Sequence, residues 1–234
     1  MQPELYLRLR EKEGRLYTDD IVARLPVISP EHRFAAEWRA RARSVSRLTS
    51  YLSARPRPLS ILELGCGNGW LSNLISKSRH SVLGMDQNRH ELKQARRVFQ
   101  ANSNLSFFEA DIFFAPFIPA RFDVIILASV LQYFQDALEL VSVLSNYLKP
   151  NGEIHILDTP LYVDNELDAA ILRSRQYYTA LGFPEMMSHY FHHRASDVQT
   201  LHPMILYQPR PWTLRLKHLV GQDDSPFPWI MIKK

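Results

Sequence analysis

The chain has 234 residues, of which 46% are hydrophobic and 22% are charged. This composition favours a globular protein and argues against global disorder. No run of about 18 apolar residues occurs, so we expect neither a membrane span nor a membrane partner. The start of the chain lacks the apolar core of a signal peptide, and Cys66 is its only cysteine. We therefore expect a cytoplasmic protein without a disulfide or a cysteine-ligated zinc ion.

The formal net charge is +4, and the excess of positive charge is concentrated in one stretch of the sequence. Seven arginines lie in this stretch: Arg33, Arg39, Arg41, Arg43, Arg47, Arg55 and Arg57. Apolar residues recur among them at helical spacing, which predicts a helix over 31–54 with most arginines pointing outward. We favour an ordinary solvated helix face, and the alternative is a surface for nucleic acid or an acidic substrate.

Residues 1–30 show no regular pattern, and the predicted helix ends at a stiff linker with the sequence RPRP. We therefore predict an N-terminal helical extension over 1–58 and a main domain over 59–234. In the main domain, apolar runs alternate with helical segments and predict strands over 60–64, 81–85, 105–109, 122–128 and 153–157. This alternation predicts an α/β fold with a mostly parallel, doubly wound, Rossmann-like sheet.

The alternation stops near residue 161. A helix is predicted over 165–181, and two late strands are predicted over 204–208 and 227–232, with a short helix between them. We interpret the segment over about 160–200 as an insertion that forms a lid.

A glycine-rich loop follows the first predicted strand, with single residues separating Gly65, Gly67 and Gly69. Glycines let the backbone turn sharply and let a ligand approach it closely. Asp86 ends the next predicted strand, about 20 residues further on, where a carboxylate would accept hydrogen bonds from ribose hydroxyls. Together these features predict a cofactor that contains a ribose.

The identity of that cofactor follows from two details of the loop. The glycines are spaced G-x-G-x-G, whereas the dinucleotide fingerprint is G-x-G-x-x-G. Glu63 precedes the first glycine, and a carboxylate there is unfavourable for a pyrophosphate. The same carboxylate suits the ammonium and sulfonium groups of S-adenosylmethionine. We therefore rank a methyl donor above NAD.

The sequence ILELGCGNG is followed, in order, by VLGMD, ADI, FDVIILASVLQYF and LKPNGEIHILD. This series resembles the ordered motifs of class I S-adenosylmethionine-dependent methyltransferases and covers about residues 60–158. The resemblance implies a seven-stranded, mostly parallel sheet with a reversed last strand, and S-adenosylmethionine as the cofactor.

The resemblance also implies roles for residues of the glycine loop. Gly65, Gly67 and Gly69 would shape the loop beneath the methionine and ribose portions of the cofactor. Glu63 would hold the methionine amino group. We interpret Cys66, which lies inside the loop, as a packing residue rather than a nucleophile.

Further cofactor roles are implied at the ends of the second and third strands. Asp86 would bind the ribose hydroxyls, and Gln87 would lie near the adenine. Asp111 would accept a hydrogen bond from the adenine amino group, and the backbone of Ile112 would contact the ring.

Ala128 and Ser129 end the fourth predicted strand, and the resemblance implies that they face the methionine portion and the transferred methyl group. The sequence that they begin, ASVL, differs from the Asn/Asp-Pro-Pro-aromatic motif of enzymes that methylate amino groups of DNA and RNA bases. The only cysteine lies in the cofactor loop, which argues against covalent methylation of a pyrimidine. The chain therefore resembles the small-molecule branch of the family.

In-line transfer of a methyl group mainly requires alignment of the nucleophile, and an oxygen nucleophile also needs a general base. We predict three catalytic candidates: Tyr133 after the fourth strand, Asp158 after the fifth, and His189 in the sequence SHYFHHR. Structural roles are the alternative, namely packing for Tyr133 and His189 and capping for Asp158. No carboxylate pair accompanies the histidines, so we expect no metal ion.

Methylation of a small molecule, at oxygen or nitrogen, is the leading functional hypothesis. An RNA methyltransferase that uses the arginine-rich helix to hold phosphates is the second. A non-catalytic module that binds the cofactor is the third, and a nicotinamide oxidoreductase is the most distant. The sequence leaves the oligomeric state open.

Overall fold

The structure, a computed structural model, describes residues 3–234. A seven-stranded sheet forms its centre, with the strand order β3-β2-β1-β4-β5-β7-β6. In chain order the strands are β1 (Ser60–Leu64), β2 (Ser81–Asp86), β3 (Leu105–Glu109), β4 (Phe122–Ala128), β5 (Leu148–Leu157), β6 (Met204–Tyr207) and β7 (Trp229–Lys233). The first five strands are parallel, and β7 runs antiparallel between β5 and β6. The predicted α/β fold with a reversed last strand is confirmed.

Helices cover both faces of the sheet and part of its edge. They are α1 (Pro3–Lys12), α2 (Asp19–Val22), α3 (Ala35–Ser53), α4 (Trp70–Ser76), α5 (Arg89–Val98), α6 (Ala137–Tyr147), α7 (Asp164–Leu181), α8 (Ala195–Gln199) and α9 (Pro211–Leu219). Short 3₁₀ helices form at Ile112–Phe114, Leu131–Tyr133 and Pro184–Ser188. Within residues 3–234, no helix is both long and apolar enough to cross a membrane.

The central strand β4 has the sequence FDVIILA and is buried along nearly its whole length. Side chains alternate between the faces of a strand, so a strand covered on both faces needs a continuous apolar run. Ile125 and Leu127 pack on the face covered by α6, whereas Val124 and Ile126 pack on the face covered by α3 and α4. Because α3 shares this second core, residue 58 does not separate two hydrophobic cores.

The first thirty residues contain a regular helix that the sequence pattern did not predict. Leu5 and Leu9 of α1 pack against Tyr178, Phe183 and Met186 of the inserted segment. A helix of ten residues is only marginally stable in isolation, so this tertiary packing stabilises it. The helix α1 and the inserted segment together form a cap, which we define as residues 3–12 and 160–200.

The arginine-rich stretch is only partly solvated, because most of its cations are paired with carboxylates. The pairs are Arg39–Asp223, Arg41–Glu37, Arg47–Asp224, Arg55–Glu153 and Arg57–Asp123, with nitrogen–oxygen distances between 2.5 and 3.0 Å. The carboxylates of Asp123, Asp223 and Asp224 are buried. All of these pairs except Arg41–Glu37, which lies within α3, fasten α3 and the following linker to the sheet and to the segment before β7.

Gly69 and Gly182 both have left-handed backbones, and comparing them tests how closely the glycine loop packs against Phe107. Gly69 caps α4 with a φ of 77°, and an added Cβ would lie 2.5 Å from Cζ of Phe107. Gly182 ends α7 with a φ of 83°, and an added Cβ there would contact no atom within 4 Å. Both Gly→Ala variants should lose about 1–2 kcal/mol through backbone strain. Gly69→Ala should lose roughly 1–3 kcal/mol more through overpacking.

Urea unfolding followed by circular dichroism measures both changes in the free energy of unfolding. Equal destabilisation by Gly69→Ala and Gly182→Ala would contradict the contact between Gly69 and Phe107.

Candidate functional site

Two cavities lie side by side at the carboxyl ends of β1, β2 and β4, where ligands bind in open α/β sheets. The large cavity has a volume of about 390 Å³, and the small cavity has a volume of about 140 Å³. Tyr6, Gly65, Gly67 and Ser129 line both. The glycine loop and α1 therefore form the boundary that the two cavities share.

Most of the predicted site residues line these cavities. The large cavity is lined by the predicted residues Gly65, Gly67, Asp86, Gln87, Asp111, Ile112, Ser129, Tyr133 and His189. The small cavity is lined by the predicted residues Glu63, Gly65, Cys66, Gly67, Ala128 and Ser129. Gly69 lines neither cavity, and it acts on the loop only through its conformation at the start of α4.

Asp86 is held in place by backbone amides on the wall of the large cavity. The amide of Gly67 donates to its Oδ2 atom at 2.8 Å, and the amide of Asn88 donates to its Oδ1 atom at 2.8 Å. Burial nevertheless raises the pKa of Asp86 above its ordinary value. Each carboxylate oxygen has a second lone pair, so Asp86 can accept two further hydrogen bonds from a ligand diol.

Two more carboxyl groups crowd around the glycine loop. Glu63 is buried at the base of the small cavity and accepts a hydrogen bond from the Ser72 hydroxyl. Burial, together with the nearby Asp86 carboxylate, raises the pKa of Glu63 to about 8. Burial and Asp86 likewise raise the pKa of Glu91 to about 7. A cation placed between these groups would favour their ionised forms, so this side of the site suits a positively charged ligand.

The opposite wall of the small cavity is cationic. Arg10, Arg15 and Arg41 line it. Arg10 donates to Glu13 and to the Tyr133 hydroxyl, both at 2.7 Å. Arg15 donates to both carboxylate oxygens of Glu37, at 3.0 and 2.7 Å.

One nitrogen of each of two arginines lacks an acceptor. The Nε atoms of Arg10 and Arg15 are buried, and within the part of the chain that the structure describes they have no hydrogen-bond partner. Buried donors are almost always paired in folded proteins, so unpaired ones indicate a missing water, ion or ligand. The Arg15 Nε atom lies 3.6 Å from Oε2 of Glu13, so the arginine side chains would have to shift before an anionic group in the small cavity could accept from these donors.

Comparison with known proteins agrees with this site. Residues 61–152, which contain the glycine loop, match the family described as "Methyltransferase domain". The chain is 32% identical over 106 residues to malonyl-(acyl-carrier protein) O-methyltransferase of Halalkalibacterium halodurans, covering 42% of this chain and 38% of that protein. It is 31% identical over 106 residues to demethylmenaquinone methyltransferase of Lactococcus lactis, covering 43% and 42% respectively. The chain thus spans about two fifths of the length of the curated relatives it matches.

The fold is shared far more widely than the sequence. Geranyl diphosphate C-methyltransferase from Streptomyces coelicolor superimposes with a TM-score of 0.63 at 15% identity, covering 97% of this chain and 90% of that one. The sheet order and the reversed β7 are therefore those of a solved methyltransferase. The chain therefore has the fold of a solved methyltransferase, and its residues 61–152 match the methyltransferase domain family.

One of the predicted catalytic residues, Asp158, lies away from both cavities. Its Oδ1 atom accepts hydrogen bonds from Ser44 at 2.7 Å and from Ser225 at 2.8 Å. The residue has a φ of 53°, and its side chain joins α3 to the segment before β7. We correct the prediction accordingly and treat Asp158 as a structural residue.

The three histidines of SHYFHHR also differ in whether they line a cavity. His189 lines the large cavity. The ring of His192 is hydrogen-bonded to the Ser174 hydroxyl at 2.9 Å, and the buried ring of His193 contacts the Leu131 carbonyl at 3.0 Å. Only His189 therefore remains a candidate for acid–base chemistry.

The sequence analysis did not predict that residues of the N-terminal segment line the cavities. Tyr6 and Arg10 of α1 reach the cavities, as does Arg15 in the following loop. The sequence contains only a weak helical signal here. Leu5 and Leu9 are four residues apart, as are Tyr6 and Arg10, which is the spacing of residues on one face of a helix. The acidic Glu91, at the start of α5, was also missed.

Proposed function

We propose that this chain transfers a methyl group from S-adenosylmethionine to a small-molecule acceptor, at an oxygen or a nitrogen. The observation that carries the proposal is the charge pattern of the two cavities. Glu63 and Glu91, whose pKa values are raised, line the small cavity. Arg10 and Arg15 line the same cavity, and Asp86 lines the large one. A ligand with a cationic centre, a carboxylate and a ribose complements all three features, and S-adenosylmethionine is such a ligand.

The nucleoside portion fits the large cavity. Asp86 would accept hydrogen bonds from the two ribose hydroxyls, because its carboxylate is already oriented by the Gly67 and Asn88 amides. Gln87, Asp111 and Ile112 would surround the adenine, as they line the same cavity. A volume of about 390 Å³ lies within the range of small-molecule and cofactor sites.

The amino acid portion fits the small cavity. Glu63 would bind the ammonium group, and its pKa would fall as it did so, because a nearby cation favours the carboxylate. Arg10 and Arg15 would bind the carboxylate through their unpaired Nε donors. In this assignment Glu63 binds the positive end of the amino acid portion, and the two arginines bind its negative end.

When bound, S-adenosylmethionine supplies an electrophilic methyl group on a sulfonium. The protein has to align the acceptor, exclude water and remove a proton. Ser129 lies at the junction of the two cavities, and His189 and Tyr133 line the large one. We assign His189 as the base that accepts the proton of an acceptor hydroxyl. Tyr133, whose hydroxyl accepts a hydrogen bond from Arg10, would orient the acceptor.

An acceptor with an apolar or aromatic body suits the remaining walls. Phe113, Phe134 and Phe191 line the large cavity beside Tyr6. One relative is named as an O-methyltransferase, and another is named as a methyltransferase of demethylmenaquinone. Both names support an oxygen or a quinone-like acceptor in preference to a nucleic acid.

The arginine pairing also weakens the RNA hypothesis. Phosphate recognition needs cations that are available to exchange small counterions. Arg39, Arg47, Arg55 and Arg57 are instead bound to carboxylates of the same chain. A small acceptor inside the cavity therefore explains the site better than an RNA along α3.

The proposed base has a direct test. Methyl-labelled S-adenosylmethionine should transfer label to small molecules in a deproteinised extract and to simple phenols or amines.

For a hydroxyl acceptor, His189→Gln should lower kcat by about a hundredfold or more, with little change in cofactor affinity. The control is His192→Gln, because His192 lines neither cavity.

Cofactor binding without any transfer of label would contradict the enzymatic proposal and favour a non-catalytic module. Equal losses in the two histidine variants would contradict the assignment of His189.

The carboxylate-binding role of Arg15 has a separate test. Arg15→Gln should weaken S-adenosylhomocysteine by about tenfold, because a charge-assisted hydrogen bond contributes about 1.5–3 kcal/mol. The affinity for 5′-methylthioadenosine, which lacks the amino acid portion, should stay unchanged. Calorimetric titration measures both affinities. Arg33→Gln is the control, since Arg33 also stacks on Phe34 but does not line the cavities. Parallel losses for both ligands would refute the assignment.

A further inference from the structure

The helix α9 presents an apolar face to solvent. Trp212, Leu216, Leu219 and the adjacent Val220 are 61%, 57%, 80% and 68% exposed. Residues 212, 216 and 219 are spaced four and three apart, which places them on one side of a helix. No residue of α9 is buried. Isolated exposed apolar residues are common, but a row of four large ones marks an interaction surface.

Thr213, Leu214 and Lys217 form the partly buried side of α9, and the exposed His218 lies beside them. Lys217 Nζ lies 2.6 Å from an oxygen of Asp224, and His218 Nδ1 lies 2.5 Å from an oxygen of Asp223. Both carboxylates are buried, and Arg47 and Arg39 of α3 bind them as well. A helix on the surface of a globular protein normally has the reverse orientation, with its apolar side inward. Ion pairs therefore hold α9 with its apolar side turned outward.

The charge around this face restricts what can cover it. No acidic residue occurs between Asp197 and Asp223, whereas Arg210 and Arg215 are exposed beside the apolar row. A second copy docked on this face by two-fold symmetry would bring two patches of the same positive charge together with no acidic residue of this segment to pair them, which is unfavourable. A nucleic acid would attract the arginines but would leave four apolar side chains uncovered. An anionic bilayer surface satisfies both the cations and the apolar row.

We propose that α9 binds the surface of anionic membranes. Trp212, Leu216 and Leu219 would enter the interfacial region, and Arg210 and Arg215 would lie at the level of the lipid phosphates. The sequence-based expectation of no membrane partner considered only spanning segments, and an interfacial helix lies outside that criterion. The proposal rests on α9 alone and does not depend on methyl transfer.

Flotation with lipid vesicles tests this surface in the full chain. The protein should bind vesicles of equimolar phosphatidylglycerol and phosphatidylcholine at about 50 mM salt, and binding should weaken as salt rises. Vesicles of phosphatidylcholine alone should bind much more weakly. The double variant Leu216→Ser/Leu219→Ser should lower the partition coefficient by about tenfold or more. Arg210→Gln/Arg215→Gln should lower it on the order of tenfold and reduce its salt dependence.

Ile118→Ser is the matched control, because Ile118 is 69% exposed but lies in the loop between β3 and β4. Its binding should equal that of the wild type, and all variants should unfold at the same temperature. Failure to bind anionic vesicles, or an equal loss in Ile118→Ser, would overturn the proposal. Self-association without lipid that Leu216→Ser/Leu219→Ser abolishes would assign the face to a second copy instead and would also overturn it.

Discussion

The site depends on one electrostatic constraint, which is the crowding of three carboxyl groups around the glycine loop. Glu63 is buried, and Asp86 and Glu91 are half-buried on the cavity walls. Burial raises the pKa of all three groups, and the Asp86 carboxylate further disfavours ionisation of Glu63 and Glu91. A cationic ligand relieves the repulsion. The loop is therefore arranged for a positively charged cofactor before any contact with that cofactor is made.

The cap supplies the complementary charge and the remaining wall. Leu5 and Leu9 pack helix α1 against the inserted segment. In this position Arg10 donates a hydrogen bond to the Tyr133 hydroxyl. The inserted segment is fixed to the loop after β4, where the Phe191 amide donates to the Gln132 carbonyl at 2.7 Å. Substrate-facing groups thus come from elements far apart in sequence but joined by a small apolar cluster. We expect changes in that cluster to alter the acceptor side more than the nucleoside side.

The cofactor side was predictable from sequence because its signals are local. The family resemblance implied Asp111 and Ser129, whereas Asp86 was predicted because it directly ends a buried strand, and all three line the large cavity. The same strand-end reasoning failed at Asp158, where a positive φ and two serine partners turn the side chain toward α3. Local sequence contains neither the backbone turn nor Ser225, which is 67 residues away.

In the fold, too, the elements set by local sequence were predictable, whereas those that depend on long-range contacts were not. Strands β1, β3 and β4 begin and end where their apolar runs do. The strand β5, expected from residue 153, begins at Leu148 because Leu148 pairs with Phe122 across an irregular register. Helix α1 and the pairing of the arginines with Asp223 and Asp224 require tertiary contacts, so no pattern within one segment reveals them.

Proton release on cofactor binding tests the central claim most directly. Near pH 7 the free protein holds a proton on Glu63, since its pKa is about 8, and an ammonium group bound beside it should expel that proton. Titration with S-adenosylhomocysteine in buffers of different ionisation enthalpy measures this release. We predict net release at pH 7, a loss of that release in Glu63→Gln, and no binding of NAD. Absence of binding, or binding with no proton released, would contradict the account.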